Sequence, residues 1–384
     1  MTASESHSNR LVEHFFRHEY ANLVSVLSKT FGFARIDLIE DTVSAAMLRA
    51  MDAWKQGGVP DKPAAWIHRV ARNRILDTLR REKTHQQAMA FVGLDETTVD
   101  AGLTDIEAAI PDSLLGMMFV CCHPTLDRQS QIALTLKILC GFSVHEIARG
   151  LLTTPEATKK RIQRAKVKLQ TAQIGVELPP AEQLSARLDG VHEVLYLMFN
   201  EGYSTSHGIA PIRDNVCEEA ARLCHLLCEH DTLSTPESQA LLALMLFHAS
   251  RLDARVDALG QTVLLDDQDR SKWDHRLIQV ADGWLVRSVQ DRPSRFHLEA
   301  VIAQFHCAAP SFAETDWDSI VKFYDRLLEG HPSPVYRLNR AIAVAHAGQP
   351  EEALVALQQL RDARELDNYY LLTCALGHVH QLAG

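Results

Sequence analysis

The residues best suited to a chemical task lie between Trp66 and Lys83, where six Lys or Arg stand against two acids in a chain of net charge −10. At 100° per residue, the apolar side chains fall on one half of a helix and the basic ones on the other. A basic stripe suits a phosphate backbone, and an aromatic or amide side chain suits bases. We predict nucleic-acid contacts, the alternative being a solvated face on an ordinary helix. The predicted contact residues are Trp66, Arg69, Arg72, Asn73, Arg80 and Lys83.

A second basic helix follows about 80 residues later along the chain. Ser143 and Glu146 have the spacing of a capping box that opens a short helix through Leu151. After a tight turn, Thr154 is placed to cap the next helix, with Pro155 at its first position. On that helix one narrow apolar seam is expected, formed by Thr158, Ile162, Ala165 and Leu169.

All other faces of this second helix are polar, and Lys166 is among its exposed cations in this interpretation. A short helix, a tight turn and a basic helix predict a helix-turn-helix whose second helix enters the major groove. A generic helical hairpin is the alternative, because the turn lacks its usual glycine. The side chains expected to reach base edges and phosphates are Lys159, Lys160, Gln163 and Arg164.

Other candidate sites favour structural roles. Cys121-Cys122-His123 and the group Cys217, Cys224, His225 and Cys228 contain metal-ligand types, but burial in a core is the preferred interpretation. Asp269 with Arg270, and Asp291 with Arg292, are expected to form charge-assisted pairs inside a helical array. The chain has no phosphate-cradling glycine loop, nucleophile elbow or convincing carboxylate pair. We therefore expect no enzyme, no cofactor and no metal.

Composition is that of a globular protein of two or three domains: 384 residues, 46% apolar and 23% charged. The sequence shows neither a leader peptide nor an apolar stretch long enough to span a membrane. Its eight cysteines are spread thinly along the chain, which fits a reducing compartment. We therefore expect a cytoplasmic protein with no membrane partner. Charge is divided unevenly: residues 1–175 sum to +3 and residues 176–384 to −13. This asymmetry indicates a front half that faces nucleic acid and a back half that phosphate would repel.

The helical periodicities predict an all-α fold with four parts. Residues 8–83 form a helical domain, 84–110 an acidic linker, 111–175 the helix-turn-helix domain and 181–384 a helical extension. Within the extension, a helical pair from Pro334 to Leu357 places small residues where close packing needs them: Ala341, Ala345, Gly348 and Ala353. This pattern is typical of a tetratricopeptide repeat, whose stacked pairs offer a concave surface to a peptide or protein.

With both basic helices in place, the front half resembles the extracytoplasmic-function (ECF) sigma factors of the sigma-70 family. The stretch from Ile39 to Trp54 followed by Ala65 to Arg81 is similar to sigma region 2. The stretches from Phe142 to Arg149 and from Lys160 to Leu169 are similar to region 4. The family is a set of promoter-reading subunits of RNA polymerase, so the resemblance implies two partners, core RNA polymerase and promoter DNA.

The resemblance also implies roles for particular residues. Glu40 and Asp41, with the exposed face around Leu48 and Arg49, would dock on the polymerase clamp helices. The loop at residues 56–63 and the helix bearing Trp66 would take the minus-ten element, and the helix after Thr154 the minus-thirty-five element. Two departures stand out: Ser44-Ala45 replaces the usual Gln-Glu pair, and the residues 153–156 replace the commoner glycine-containing turn.

The back half resembles the extension of ECF subgroup forty-two, through the stretches Leu195 to Tyr203, Leu264 to Trp273 and Pro332 to Ala341. In that subgroup neighbouring genes often encode small DGPF-type proteins, which implies a protein or peptide ligand for the extension. A different class, a helix-turn-helix regulator with a tetratricopeptide-like sensor domain acting without polymerase, is the rival. The basic helix at Trp66 argues against it, since a plain operator binder has no need of that helix. An interaction scaffold with incidental basic helices is the third hypothesis.

Overall fold

A computed structural model describes residues 3–87, 106–203, 210–257, 261–364, 366–367 and 369–384. The chain divides into two compact units, Met1–Gly202 and Tyr203–Gly384. Within the described residues the regular structure is helical, apart from one isolated bridge between Val256 and Thr262. The prediction of an all-α fold is confirmed.

The first unit begins with three helices around one apolar core. Helix α1 packs against α2, which packs against α3, and a 3-10 turn at Phe33–Arg35 joins the first two. Leu27, Ile39, Ile67 and Ile75 are fully buried at their centre, each stabilising the fold by about 1.5–3 kcal/mol. The three helices are α1 at Ala3–Phe31, α2 at Ile36–Gly57 and α3 at Pro63–Gln87.

Among the described residues, five further helices belong to the first unit. Helix α4 is buried over most of its length and packs against α1, so helices α1–α3 and the helices that follow them share a core. Cys121, Cys122 and Cys140 lie in that core as small apolar side chains, and burial raises the pKa of the Cys122 thiol to about 12. These helices are α4 at Ile106–Cys121, α5 at Arg128–Ile138, α6 at Val144–Gly150, α7 at Pro155–Thr171 and α8 at Ala181–Tyr203.

The predicted helix-turn-helix is formed by α6 and α7. Ser143 and Glu146 make the reciprocal hydrogen bonds of a capping box, and the Thr154 hydroxyl accepts from the backbone N–H of Ala157. Leu152 occupies the turn with φ of 49°, in the left-handed region where glycine is more common. The missing glycine is therefore replaced by an exposed leucine that carries the strain.

Helix α8 bears on where the extension begins. The predicted boundary placed residues 181–384 together, whereas α8 makes contacts inside the first unit. Arg187 donates to the Phe119 carbonyl at 2.6 Å, and Arg128 donates to the Gly190 carbonyl at 3.1 Å. The described ends of the predicted acidic linker are helical, as α3 continues to Gln87 and α4 begins at Ile106; residues 88–105 lie outside the description.

The second unit is built from successive helices that pack on their neighbours. Cys217, Cys224 and Cys228 line the buried face of α9, and Ala341, Ala345 and Ala353 lie at the contact between α14 and α15. The helices are α9 at Ala210–Glu229, α10 at Pro236–Ala249, α11 at His275–Arg287, α12 at Arg295–Ala308, α13 at Trp317–Gly330, α14 at Pro334–His346, α15 at Pro350–Asp362 and α16 at Tyr370–Ala383.

The pair expected between Asp269 and Arg270 does not form. Asp269 instead accepts from the backbone N–H and hydroxyl of Ser271, which caps a 3-10 turn. Arg270 donates to two carbonyls at the end of α12, and its guanidinium lies 4.5 Å from the ring centre of Trp273. Side chains of adjacent residues point in different directions, so Asp269 and Arg270 bind other groups and not each other.

Candidate nucleic-acid and polymerase interfaces

Helix α2 presents one exposed stripe with apolar side chains on it. Asp41, Ser44, Leu48 and Met51 recur at helical spacing, and Leu48 and Met51 are 65% and 42% exposed. Arg49 is exposed beside them. An exposed leucine and methionine next to a carboxylate form a surface suited to a partner protein.

Glu40 lies away from this stripe and is only 7% exposed. Its carboxylate accepts from the Tyr20 hydroxyl at 2.8 Å and from the Lys166 ammonium. The two carboxylates predicted to dock on polymerase are thus in different environments: Asp41 is on the surface and Glu40 is in the interior.

Helix α3 has the two faces that its sequence predicts. Ile67, Ala71 and Ile75 are buried, while Val70 and Leu79 are half-buried. Its predicted contact residues divide by exposure: Arg69, Asn73 and Arg80 are exposed, Trp66 and Arg72 are half-buried, and the side chain of Lys83 lies outside the description.

Trp66 packs against a second tryptophan, which the sequence interpretation did not assign to the site. The ring centres of Trp66 and Trp54 are 6.0 Å apart and tilted by 58°, joining the end of α2 to the start of α3. Two residues after Trp66, burial and the charge of Arg72 lower the pKa of His68, so this imidazole is neutral at pH 7. The contact between Trp54 and Trp66 holds together the two helix ends on either side of the loop at residues 58–62.

Helix α7 carries its predicted contact residues on the surface: Lys159, Lys160, Gln163 and Arg164 are all exposed. The predicted seam is confirmed, since Thr158, Ile162, Ala165 and Leu169 are buried. The seam orients the helix, and the four polar side chains extend from its other faces.

Lys166 is the exception on α7, because its residue is only 7% exposed and the prediction of a solvated cation is wrong. Its ammonium donates to Asp37 at 2.9 Å and to Glu40, both on α2. Burial alone would lower the pKa of Lys166, but the attraction of Glu40 and Asp37 outweighs it and the pKa is raised. The partners lie about 130 residues away in sequence, so helical periodicity gave no signal of this pair.

A second polar contact joins the same two regions. Arg17 on α1 forms an ion pair with Glu146 on α6, and its guanidinium lies 4.8 Å from the ring centre of Phe142. Gly141, with φ of 66°, lies against the Arg17 backbone, where an added Cβ would meet the Arg17 carbonyl oxygen at 3.0 Å. The glycine thus permits a close approach between α1 and the start of the helix-turn-helix.

In the part of the chain that the structure describes, the geometry indicates neither a metal site nor a membrane-spanning helix. No group of three or more His, Cys, Asp or Glu side chains arranged for a metal ion occurs among the described residues. Across the same part of the chain, no helix combines the length and apolar character needed to cross a bilayer.

Comparison with known proteins matches both regions of the first unit. Residues 15–85 match the family described as Sigma-70 region 2, and residues 116–169 match Sigma-70, region 4. Residues 187–289 match a family of unknown function, DUF6596. This last match begins within α8 and ends after α11.

An uncharacterized protein of Rhizobium meliloti (strain 1021) is 37% identical over 363 residues, which cover 91% of this chain and 84% of that protein. No solved structure matches the chain. The relative and this chain share one family along nearly their whole lengths. Because residues 15–85 and 116–169 match the two Sigma-70 regions, the chain belongs to the sigma-70 family as a sigma factor for transcription initiation.

Proposed function

We propose that the chain is an ECF-type sigma factor whose α2 stripe binds core RNA polymerase, whose α3 contacts the minus-ten element and whose α7 contacts the minus-thirty-five element. The observation that carries the proposal is the exposed stripe of Asp41, Leu48 and Met51 beside Arg49, on a helix matched to region 2. A regulator that acts on duplex DNA alone has no need of that surface. Such a chain works in the cytoplasm, where polymerase and chromosomal DNA are.

The ECF assignment is supported by the short segment between the two matched regions. The two matched regions are separated by residues 86–115 alone, and this segment includes the acidic stretch of the sequence. The helices after α8 form the extension, which we assign to subgroup forty-two by its resemblance.

For the extension we propose a regulatory role through a protein or peptide ligand, a DGPF-type protein by resemblance. The packed pair α14 and α15, with alanines at its contact, supports a tetratricopeptide-like array. The net charge of residues 176–384 is −13, which disfavours nucleic acid as the ligand.

The test of polymerase binding uses surface variants. Asp41→Lys and Leu48→Asp change the stripe without touching the core, and Asp112→Lys makes the same charge reversal on an exposed position of α4. Binding to purified core polymerase should fall at least tenfold for the first two variants and remain unchanged for the control. If both stripe variants bind as the wild type does, the stripe is not the docking surface.

The extension is tested by truncation, and α8 decides where to cut. A chain ending at residue 175 loses the partners of Arg128 and of the Phe119 carbonyl, and it loses Val176, whose carbonyl lies against Gly116. A chain ending at residue 203 keeps them. We expect the chain ending at residue 203 to bind polymerase but to show altered transcription. Wild-type transcription by that variant would contradict the regulatory role.

A further inference from the structure

Two arginines of the second unit pack against one buried tryptophan. Arg251 follows α10 and is 7% exposed, and Arg270 is half-buried in the 3-10 turn at Arg270–Lys272. Their guanidinium carbons lie 5.7 and 4.5 Å from the ring centre of Trp273. Among the described residues, neither guanidinium forms an ion pair with a carboxylate. This is unexpected in residues 176–384, whose net charge of −13 means that carboxylates outnumber cations.

Each guanidinium is oriented through one of its terminal nitrogens. Arg251 Nη2 donates to the Tyr203 hydroxyl at 2.9 Å and to His248 Nδ1 at 3.0 Å. Arg270 Nη1 donates to two backbone carbonyls at the end of α12, at 2.7 and 2.6 Å. The His248 imidazole is neutral, because burial and the nearby arginines lower its pKa. All of these acceptors are therefore uncharged, and they hold the two cations without neutralising them.

The same three side chains contain buried N–H groups that have no acceptor among the described residues. These groups are Arg251 Nε, Arg270 Nη2 and Trp273 Nε1. His306, whose carbonyl binds Arg270, has an unpartnered Nδ1 as well. Folded proteins pair nearly all of their buried polar groups, because an unpaired donor has lost its hydrogen bonds to water and gained none. Several such donors around one indole indicate a place where an acceptor binds.

The charge of the two arginines favours an anion over water as that acceptor. Burial lowers the pKa of Arg270, and the positive charge of Arg251 lowers it further, so the two cations repel each other. Glu314 acts on Arg270 in the opposite direction, but its carboxylate accepts from the Ser311 hydroxyl at 2.6 Å and does not bind the guanidinium. Water accepts hydrogen bonds but leaves this repulsion in place. An oxyanion accepts from several N–H groups and also neutralises the charge.

We propose that Arg251, Arg270 and Trp273 form a binding site for a small oxyanion, a carboxylate or a phosphate, within the extension. The free guanidinium nitrogens and the indole N–H donate to its oxygens, and the two guanidiniums balance its charge. Trp273 is 3% exposed, so the site takes a small solute and not the surface of a folded protein. This inference goes beyond the proposed function and does not depend on it, because anion binding requires neither polymerase nor DNA.

The site is tested in the full chain by calorimetric titration with inorganic phosphate and, separately, with succinate. Sodium chloride holds the ionic strength constant, so that general screening does not change between titration points. We expect saturable binding of at least one of the two anions, at one site per chain. The ratio of their affinities decides between a phosphate and a carboxylate ligand. If neither anion shows saturable binding, the proposal is wrong and the buried donors are only hydrated.

Three variants locate the bound anion. Trp273→Phe removes one buried N–H but keeps an aromatic ring beside the guanidiniums, so the Kd should rise roughly tenfold. Arg270→Lys keeps the positive charge but loses the planar fork, and its Kd should rise by at least as much. Trp284→Phe is the matched control, because that indole packs on His225 and Arg287, outside the proposed site. It should bind the anion as the wild type does.

Thermal unfolding separates loss of the site from loss of the fold. Without added anion, Trp273→Phe should unfold at the wild-type Tm or slightly above it, because the variant no longer buries an unpaired N–H. Phosphate stabilises many proteins through exclusion from their surfaces, so only a rise in Tm that is larger for the wild type than for Trp273→Phe reports the site. Wild-type affinity and an equal rise in Tm for a folded Trp273→Phe variant would overturn the proposal, even if Arg270→Lys does not fold.

Discussion

The two basic helices of the first unit have similar compositions but different surroundings. Helix α3 has an apolar face in the core and exposes Arg69, Asn73 and Arg80. Helix α7 has its seam in the core and also buries Lys166 between carboxylates of α2. The difference teaches that a cation on a predicted polar face is not necessarily free for DNA, because an ion pair with a distant part of the chain can bury it.

The largest expected effect comes from breaking that buried pair from the α2 side. Glu40→Lys places a second cation against Lys166 at a site where the two side chains are 8% and 9% exposed. Loss of one partner of a buried pair typically costs about 3–5 kcal/mol. Urea unfolding of the full chain should show this loss in the transition of the first unit.

Asp41→Lys is the matched comparison, because Asp41 is the exposed neighbour of Glu40. Its effect on stability should stay within about 0.5 kcal/mol. Equal losses for the two variants would contradict the assignment of Glu40 to the interior. Reversing both carboxylates together would confuse docking with packing, so the single variants are the informative ones.

The next effect concerns promoter reading by α7. Lys160→Ala and Arg164→Ala remove exposed side chains that lie off the buried seam of α7. Removal of a side chain that reads a base should cost about 1–3 kcal/mol of binding free energy and relax one position of the minus-thirty-five element. Removal of one that binds a phosphate should weaken all sequences alike. Polymerase binding to a panel of promoter variants separates the two outcomes, and wild-type behaviour of both variants would refute the role of α7.

A smaller effect is expected in the turn between α6 and α7. Leu152 is 61% exposed with φ of 49°, a conformation that costs a non-glycine residue about 1–2 kcal/mol. Leu152→Gly removes this strain but gains freedom in the unfolded chain, so a net stabilisation of about 1 kcal/mol or less should result. Thermal unfolding checks it; a marked destabilisation would show that the leucine makes a contact that the turn requires.

The smallest effect is a predicted absence of alkaline pH dependence in the ion pair between Lys166 and the carboxylates of α2. The pKa of Lys166 is raised in the folded state, so its contribution is complete below its unfolded value near 10.5 and is lost only as pH rises through the folded value. Burial and Glu40 likewise raise the pKa of the Tyr20 hydroxyl. Urea unfolding of the first unit should give the same free energy at pH 7 and pH 9, and a loss of stability within that range would mean that another group controls the contact.

Local patterns in the sequence were enough to predict local structure. The capping box of Ser143 and Glu146, the Thr154 cap and the seam of α7 follow from short-range spacing, and all three are confirmed. The small residues at the contact of α14 and α15 follow from the same logic. Such features depend on residues within two or three turns of each other, which a helical period describes.

What could not be predicted depends on tertiary proximity. The partners of Lys166 lie on α2, Trp66 packs on Trp54 across a loop, and Arg270 reaches carbonyls at the end of α12. None of these has a fixed spacing in the sequence. Asp37 and Glu40 are about one helical turn apart on α2, so one cation can contact both, but no spacing in the sequence identifies Lys166 as that cation.

The most direct test of the central claim is transcription by purified core RNA polymerase on fragments of the native genome, with and without this chain. We predict new transcripts that appear only when the chain is present, whose start sites share sequence elements near minus ten and minus thirty-five. Asp41→Lys should abolish these transcripts, and Asp112→Lys should not. Duplex DNA binding by the chain alone, with no new transcript in the presence of polymerase, would contradict the account.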